Sequence, residues 1–148
     1  MTAYRKILVA VDGSAVAGKG LREAIRLAKS ENARLFILHV VDEFAAFTPL
    51  DGVAAASVDV LPMLKEGGKK LLEKARAVAE KQGLKPQTIL REMLSGPAAD
   101  PIVREAKKLG ADLIVLGTHG RRGVRRMVLG SDAEQVVRLA SVPVLLVR

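Results

Sequence analysis

The chain has no cysteine and no tryptophan, and only one tyrosine and three phenylalanines among its 148 residues. Without thiols it has no disulfide, no thiolate nucleophile and no cysteine-metal site. Aromatics at 3% leave too few flat side chains to form the platforms on which single-stranded nucleic acid stacks. Histidine occurs only at His39 and His119, so a histidine general base would be short of partners. No apolar stretch approaches the roughly eighteen residues of a membrane span. The first apolar run, Ile7 to Val11, is short and is followed by the charged Asp12. The expectation is therefore a cytoplasmic protein without a signal peptide and without a membrane partner.

A chain of this length fits one domain over residues 1–148, burying about 68–70% of its unfolded surface. The formal charge of +8 and a pI near 10.1 suit polyanionic company, whether nucleotide, nucleic acid or anionic membrane. The basic residues are nevertheless spread over several helical faces, the pattern of a solvated surface, and binding of nucleic acid would rest on charge alone. The densest cluster is Arg121, Arg122, Arg125 and Arg126. It reads either as a solvated loop or as guanidinium groups that reach nucleotide phosphates or the acidic surface of a partner.

Continuous apolar runs alternate with amphipathic helical patterns, which predicts a parallel sheet covered on both faces. The runs are Ile7 to Val11, Leu35 to Val41, Thr88 to Leu94, Leu113 to Leu116 and Val142 to Val147. Between them Leu21, Ala24, Ile25 and Ala28 share one helical face, as do Leu64, Leu71, Leu72, Ala75, Val78 and Ala79. Asp100-Pro101 predicts an N-cap followed by proline at the first helical position, with Pro97 permitting an earlier start, and Gly110 closes that helix. The third run is interrupted by Arg91 and Glu92 and suits a sheet edge. Pro143 cannot donate to a ladder, so it places the last run at a strand start or an edge. Phe44 to Val58 is long for a strand-to-helix connection and reads as a flap over a site or as a disordered loop.

After the fourth run comes Gly117, two residues, Gly120, nine residues, then Gly130-Ser131. Glycines leaving a strand can take positive φ and admit another molecule close to their amides, which then face an anion. Ser131 followed three residues on by Glu134 is a capping-box pattern, predicting Ser131 as the N-cap of the last helix. The exposed amides and partial positive charge of that helix start would attract phosphate. The same glycines also occur in α/β proteins that bind nothing.

Gly117-Thr118-His119-Gly120, nine residues, Gly130-Ser131 resembles the signature of the ATP-binding branch of the universal stress protein (UspA-like) family. The resemblance extends over Lys6-Ile7-Leu8-Val9-Ala10-Val11-Asp12-Gly13-Ser14, Leu38-His39-Val40-Val41-Asp42 and Val142-Pro143-Val144-Leu145-Leu146-Val147. It implies an open five-stranded parallel sheet of order 3-2-1-4-5, Rossmann-like and similar to the adenine nucleotide alpha hydrolases. That order would bring the ends of the first and fourth strands together where strand order reverses, the place where open α/β sheets bind ligands.

By resemblance, Asp12 and the backbone at Val40 would lie near the adenine, and Ala10 would also touch the nucleotide. Gly117 and His119 would follow the ribose and phosphate path, while Gly120, Gly130 and Ser131 hold phosphates. Arg121 would join them as part of the basic cluster. The implied ligand is ATP with Mg²⁺, and the implied assembly is a homodimer through the final strand, residues 142–148, with further protein partners unidentified. The implied role is a nucleotide-dependent switch in stress adaptation, with slow hydrolysis or self-phosphorylation at most and no catalytic residue assigned.

Asp132 and Ala133 depart from the pattern, because many ATP-binding relatives have an uncharged residue followed by Ser or Thr. Asp132 suits the helix dipole, yet its charge opposes nearby phosphates unless it holds a divalent cation. Ala133 lacks a hydroxyl donor. Together they would weaken triphosphate binding or shift preference to a less charged nucleotide, with Arg121 to Arg126 as the compensating charge.

Two rival readings remain. Gly13, four residues, Gly18-Lys19-Gly20 is a near-match to a P-loop that lacks the hydroxyl for Mg²⁺. Alternatively the chain is a dimeric interaction module of the same fold that binds no nucleotide.

Overall fold

A computed structural model describes residues 2–43, 61–94, 96–119 and 129–148. The expected 44–58 flap and the cluster Gly120, Arg121, Arg122, Arg125 and Arg126 lie outside the described residues. The order of elements is β1 (Lys6–Ala10), α1 (Ala15–Glu31), β2 (Arg34–Asp42), α2 (Leu61–Lys81), β3 (Gln87–Met93), α3 (Ala99–Leu109), β4 (Leu113–Gly117), α4 (Ser131–Leu139) and β5 (Val144–Val147). The five strands form one parallel sheet in the order β3-β2-β1-β4-β5, as expected. The interrupted third run and the proline-led last run are its two edges.

The apolar runs are continuous because the sheet is sandwiched, so successive side chains feed opposite cores. On one face Ile7, Val9, Leu35, Ile37, Leu113 and Val115 pack under Leu21, Ala24, Ile25 and Ala28 of α1 and Leu72, Ala75 and Ala79 of α2. On the other, Leu8, Phe36, Leu38, Ile114 and Leu116 meet Ala99, Ile102 and Ala106 of α3 and Ala133 and Val136 of α4. Removing a fully buried side chain such as Ile37 costs about 2–5 kcal/mol.

The second helix corrects one expectation. Val78 is 41% exposed, and the buried stripe of α2 runs instead through Gly68, Leu72, Ala75 and Ala79. Gly68 belongs to that stripe because a Cβ there would sit 2.9 Å from both His39 Cδ2 and Leu90 Cδ1. The third helix starts early, at Ala99 with Ala98 as cap, so Asp100 is a first-turn acid and not the N-cap. Pro101 is tolerated there because amides of the first turn have no helical acceptor to lose. Gly110, at φ 65°, closes the helix as expected, its N–H returning to the Ala106 and Lys107 carbonyls.

Candidate functional site

β1 and β4 are adjacent and parallel, with Val9 opposite Val115, and strand order reverses between them. Their carboxyl ends therefore frame the crevice position at which open α/β sheets bind ligands. At the tip of β1 the chain turns through Gly13 at φ 84°. Asp12 Oδ1 accepts the Ser14 amide at 2.9 Å, and Ser14 Oγ accepts the Ala17 amide at 3.1 Å, which caps α1. Asp12 is thus a turn-forming carboxylate that stands, half-buried, at the mouth of the crevice. The turn holds it there and does not preclude a contact with ligand.

Ala10 and Val40 are half-buried, and both pack against the cluster that contains Ala133. Three residues nominated from separate parts of the sequence thus share the α3/α4 side of the sheet, two of them keeping apolar surface exposed. A flat apolar ligand fits such a floor. His39 accounts for itself structurally, as expected: its Nδ1 meets the Val11 carbonyl at 2.8 Å, tying β2 to the chain beyond β1.

Gly117 ends β4 but does not take positive φ. What requires glycine there is α1, since a Cβ would lie 2.9 Å from Val16 Cγ1, 3.0 Å from Val16 C and 3.1 Å from the Ala17 amide nitrogen. Gly20 faces the same strand from the helix side, where a Cβ would come into contact with the Gly117 nitrogen at 3.4 Å. Gly20 belongs to the Gly18-Lys19-Gly20 segment that resembles a phosphate loop. All three residues are helical, within α1. A P-loop needs the residues between its two glycines to form a loop, and here Ala15, Val16 and Ala17 are already helical, so this rival lapses.

Beyond β4, the Thr118 amide donates to the Val147 carbonyl at 2.9 Å, and the Thr118 carbonyl accepts the Gly130 amide at 2.8 Å. The second bond fastens the start of α4 to the end of β4, bringing Gly117, His119 and Gly130 together. No side-chain pattern announced Thr118, because it acts through its backbone. His119 Nδ1 lies 2.8 Å from Thr118 Oγ1. Its Nε2 is buried and has no hydrogen-bond partner among the described residues.

Ser131 is not the N-cap. Gly130 is, with φ −57° and ψ 146°, and its carbonyl accepts the Glu134 amide at 2.9 Å. Held extended by Thr118, Gly130 makes the transition into the helix one residue early. Ser131 is then an exposed first-turn residue with no capping bond, and the capping box does not form. Its hydroxyl remains at the helix start. Asp132 and Glu134 place two acids in the first turn, and Arg138 pairs with Glu134 at 2.8 Å.

The described residues fit an adenine nucleotide in three respects: an apolar floor, a helix start with unsatisfied amides, and an orphan ring nitrogen beside them. They contain no group of three or more His, Asp or Glu that could hold a metal ion. At the neighbouring β2 and β3 ends, Lys65 of α2 contacts Glu92 at 2.8 Å and, chiefly by that hydrogen bond, holds its carboxyl below the usual range. Partial desolvation, followed by the adjoining Glu92, raises Glu43.

The model of the universal stress protein family matches residues 3–148. A universal stress protein of Methanocaldococcus jannaschii is 41% identical over 147 residues, covering 98% of this chain and 82% of that protein. A Burkholderia pseudomallei structure from the same family has 33% identity and a TM-score of 0.75, covering 97% and 95% of the two chains. The Archaeoglobus fulgidus universal stress protein in complex with dAMP has 26% identity and a TM-score of 0.68, covering 98% of each. With its strand order, its crevice and its full-length likeness in agreement, the chain belongs to the universal stress protein family.

Proposed function

We propose that this protein binds an adenine nucleotide at the β1/β4 crevice and acts as a nucleotide-dependent switch in stress adaptation. The observation that carries this is convergence. Asp12, Gly117, His119 and Gly130 meet at the strand-order reversal, while Ala10, Val40 and Ala133 belong to one apolar cluster beside it. The dAMP complex of the Archaeoglobus fulgidus relative supports the choice of an adenine nucleotide. The adenine lies against Ala10 and Val40 with Asp12 at its edge. Phosphates approach the amides of α4 and the Ser131 hydroxyl, with Gly120 and Arg121 completing the set.

ATP with Mg²⁺ is the ligand that the glycine motif suggests. A switch needs no rapid chemistry, and the account expects turnover below about 1 s⁻¹. The test is thermal unfolding with adenosine phosphates. A ligand at a hundredfold its dissociation constant raises stability by about 2.7 kcal/mol. No shift with any adenine nucleotide would leave the non-nucleotide interaction module as the correct reading.

The switch is proposed to work as a single-domain cytoplasmic homodimer, pairing through residues 142–148 and presenting its surface to protein partners. β5 is an edge strand with all four residues half-exposed, and the neighbouring α4 exposes Val137 and Leu139. An apolar edge of this kind invites strand pairing. Sedimentation at high micromolar concentration should give a dimer, and a monomer there would refute the pairing. Among the described residues no helix is long and apolar enough to cross a membrane.

A further inference from the structure

We propose that the outer face of α1 is a docking row for the phosphate backbone of double-stranded DNA. The inference is independent of nucleotide binding at the crevice.

The sequence spreads its cations over many segments, and the fold gathers four of them. Lys19, Arg22, Arg26 and Lys29 of α1 are all exposed, and within the helix only Ala15 and Ser30 are exposed with them. Steps of three, four and three residues keep the four on one stripe, with neighbours about 5–6 Å apart and about 15 Å from end to end. The two acids of α1 are half-buried and already engaged. Glu23 accepts from Arg26 Nε at 3.0 Å, and Glu31 accepts the Ala3 amide at 2.6 Å.

The other helices expose both signs. Glu66, Glu73 and Glu80 interleave with the lysines of α2, Asp100 stands on α3, and Asp132 and Glu134 stand on α4. The residues outside those described bring only two acids, Asp51 and Asp59, against four arginines, so the chain's positive excess does not depend on them. Like charges three and four residues apart destabilise a helix, so the row is not explained by the fold that carries it.

The character of the row selects its occupant. Among the described residues the large apolar side chains that are exposed are Met63, Val78, Leu94, Val137 and Leu139, none of them on α1. A protein partner binds chiefly through apolar or aromatic anchors, and a membrane seats a helix by its apolar face. The outer face of α1 offers neither. Single strands need aromatic platforms, which this chain lacks, and duplex RNA is recognised partly through its 2′-hydroxyls, for which the row has no uncharged partner. Four cations in line meet a line of phosphates, which holds the duplex without reading its sequence.

The experiment is fluorescence anisotropy of the full chain with a labelled mixed-sequence DNA duplex of about 20 base pairs, between about 50 and 200 mM salt. For the wild type, the logarithm of the binding constant should fall against the logarithm of salt with a slope of about −2.7 to −3.6, the range for three or four neutralised phosphates. Arg22→Gln combined with Lys29→Gln should bring that slope about 1.8 closer to zero. Lys70→Gln combined with Lys74→Gln removes the same charge from α2 and should leave the slope where it is. Thermal unfolding of the α1 variant should match or exceed the wild type, because repulsion is relieved, and a clear loss would show that the row serves the fold instead. An equal change in both variants would reduce the effect to net charge and overturn the row. Absence of binding at the lowest salt, or a slope that the α1 substitutions do not move, would overturn the docking site. Tighter binding to duplex RNA of the same length, or to phosphatidylserine vesicles, would overturn the choice of DNA.

Discussion

The two ends of the sheet are built in opposite ways. At the amino end, Asp112 accepts the Arg5 amide at 3.0 Å and the Lys6 amide at 3.1 Å, and Lys6 Nζ caps α3 through the Leu109 carbonyl at 2.9 Å. Glu31 closes the same end by accepting the Ala3 amide at 2.6 Å. Side chains there are used up on backbone groups. At the carboxyl end, side chains serve the turn after β1 and the tie from His39 to Val11, whereas among the described residues the ends of β4, β5 and α4 are joined through backbone groups, Thr118 to Val147 and Gly130 to Thr118. Small residues line it, and His119 Nε2 and the Ser131 hydroxyl carry no bond that the fold needs. The amino end is closed by carboxylates and a lysine on backbone groups, while at the β4/α4 side of the carboxyl end His119 Nε2 and the Ser131 hydroxyl are left over among the described residues.

If that contrast is right, Asp112→Ala should be the costliest of the changes considered, losing about 2–3 kcal/mol because two backbone amides lose a charged acceptor. Urea unfolding measures it, and nucleotide affinity should be unaffected. Gly117→Ala tests the carboxyl end from behind. Its Cβ would meet the α1 backbone, which cannot step aside, so about 1–3 kcal/mol of stability should be lost by the same measurement. A smaller contrast separates two serines at helix starts. Ser14→Ala removes a real cap and should cost about 1 kcal/mol, whereas Ser131→Ala should cost only a few tenths in stability while weakening nucleotide binding.

The smallest effect concerns pH. In a carboxyl-resolved NMR titration Glu43 should titrate above the ordinary glutamate range and Glu92 below it. The stabilisation from Glu92 is present above its unfolded pKa and fades as pH falls through its lowered folded value. Glu43 acts oppositely, its raised folded pKa favouring the fold at acid pH and losing that contribution as pH rises through it. Lys65→Met should move Glu92 back up.

The sequence made the architecture legible because its strands are buried on both faces, so their apolar runs are unbroken except at β3 and at Pro143, which marked the two edges. The crevice was legible because it lies where two of those runs end. What stayed hidden depends on close approach and not on pattern. Gly117 is a glycine because α1 presses on β4, and Gly68 because α2 presses on His39 and Leu90. The capping-box pattern at Ser131 misled because a backbone bond from Thr118, invisible in side-chain types, fixes Gly130 as the cap.

The most direct test of the central claim is a backbone amide NMR titration with AMP. The account predicts that shifts concentrate at Ala10, Asp12, Val40, His119 and Gly130 to Ala133, with Arg5, Lys6 and Asp112 unmoved. A spectrum that does not change, or one that changes at the amino end, would contradict it.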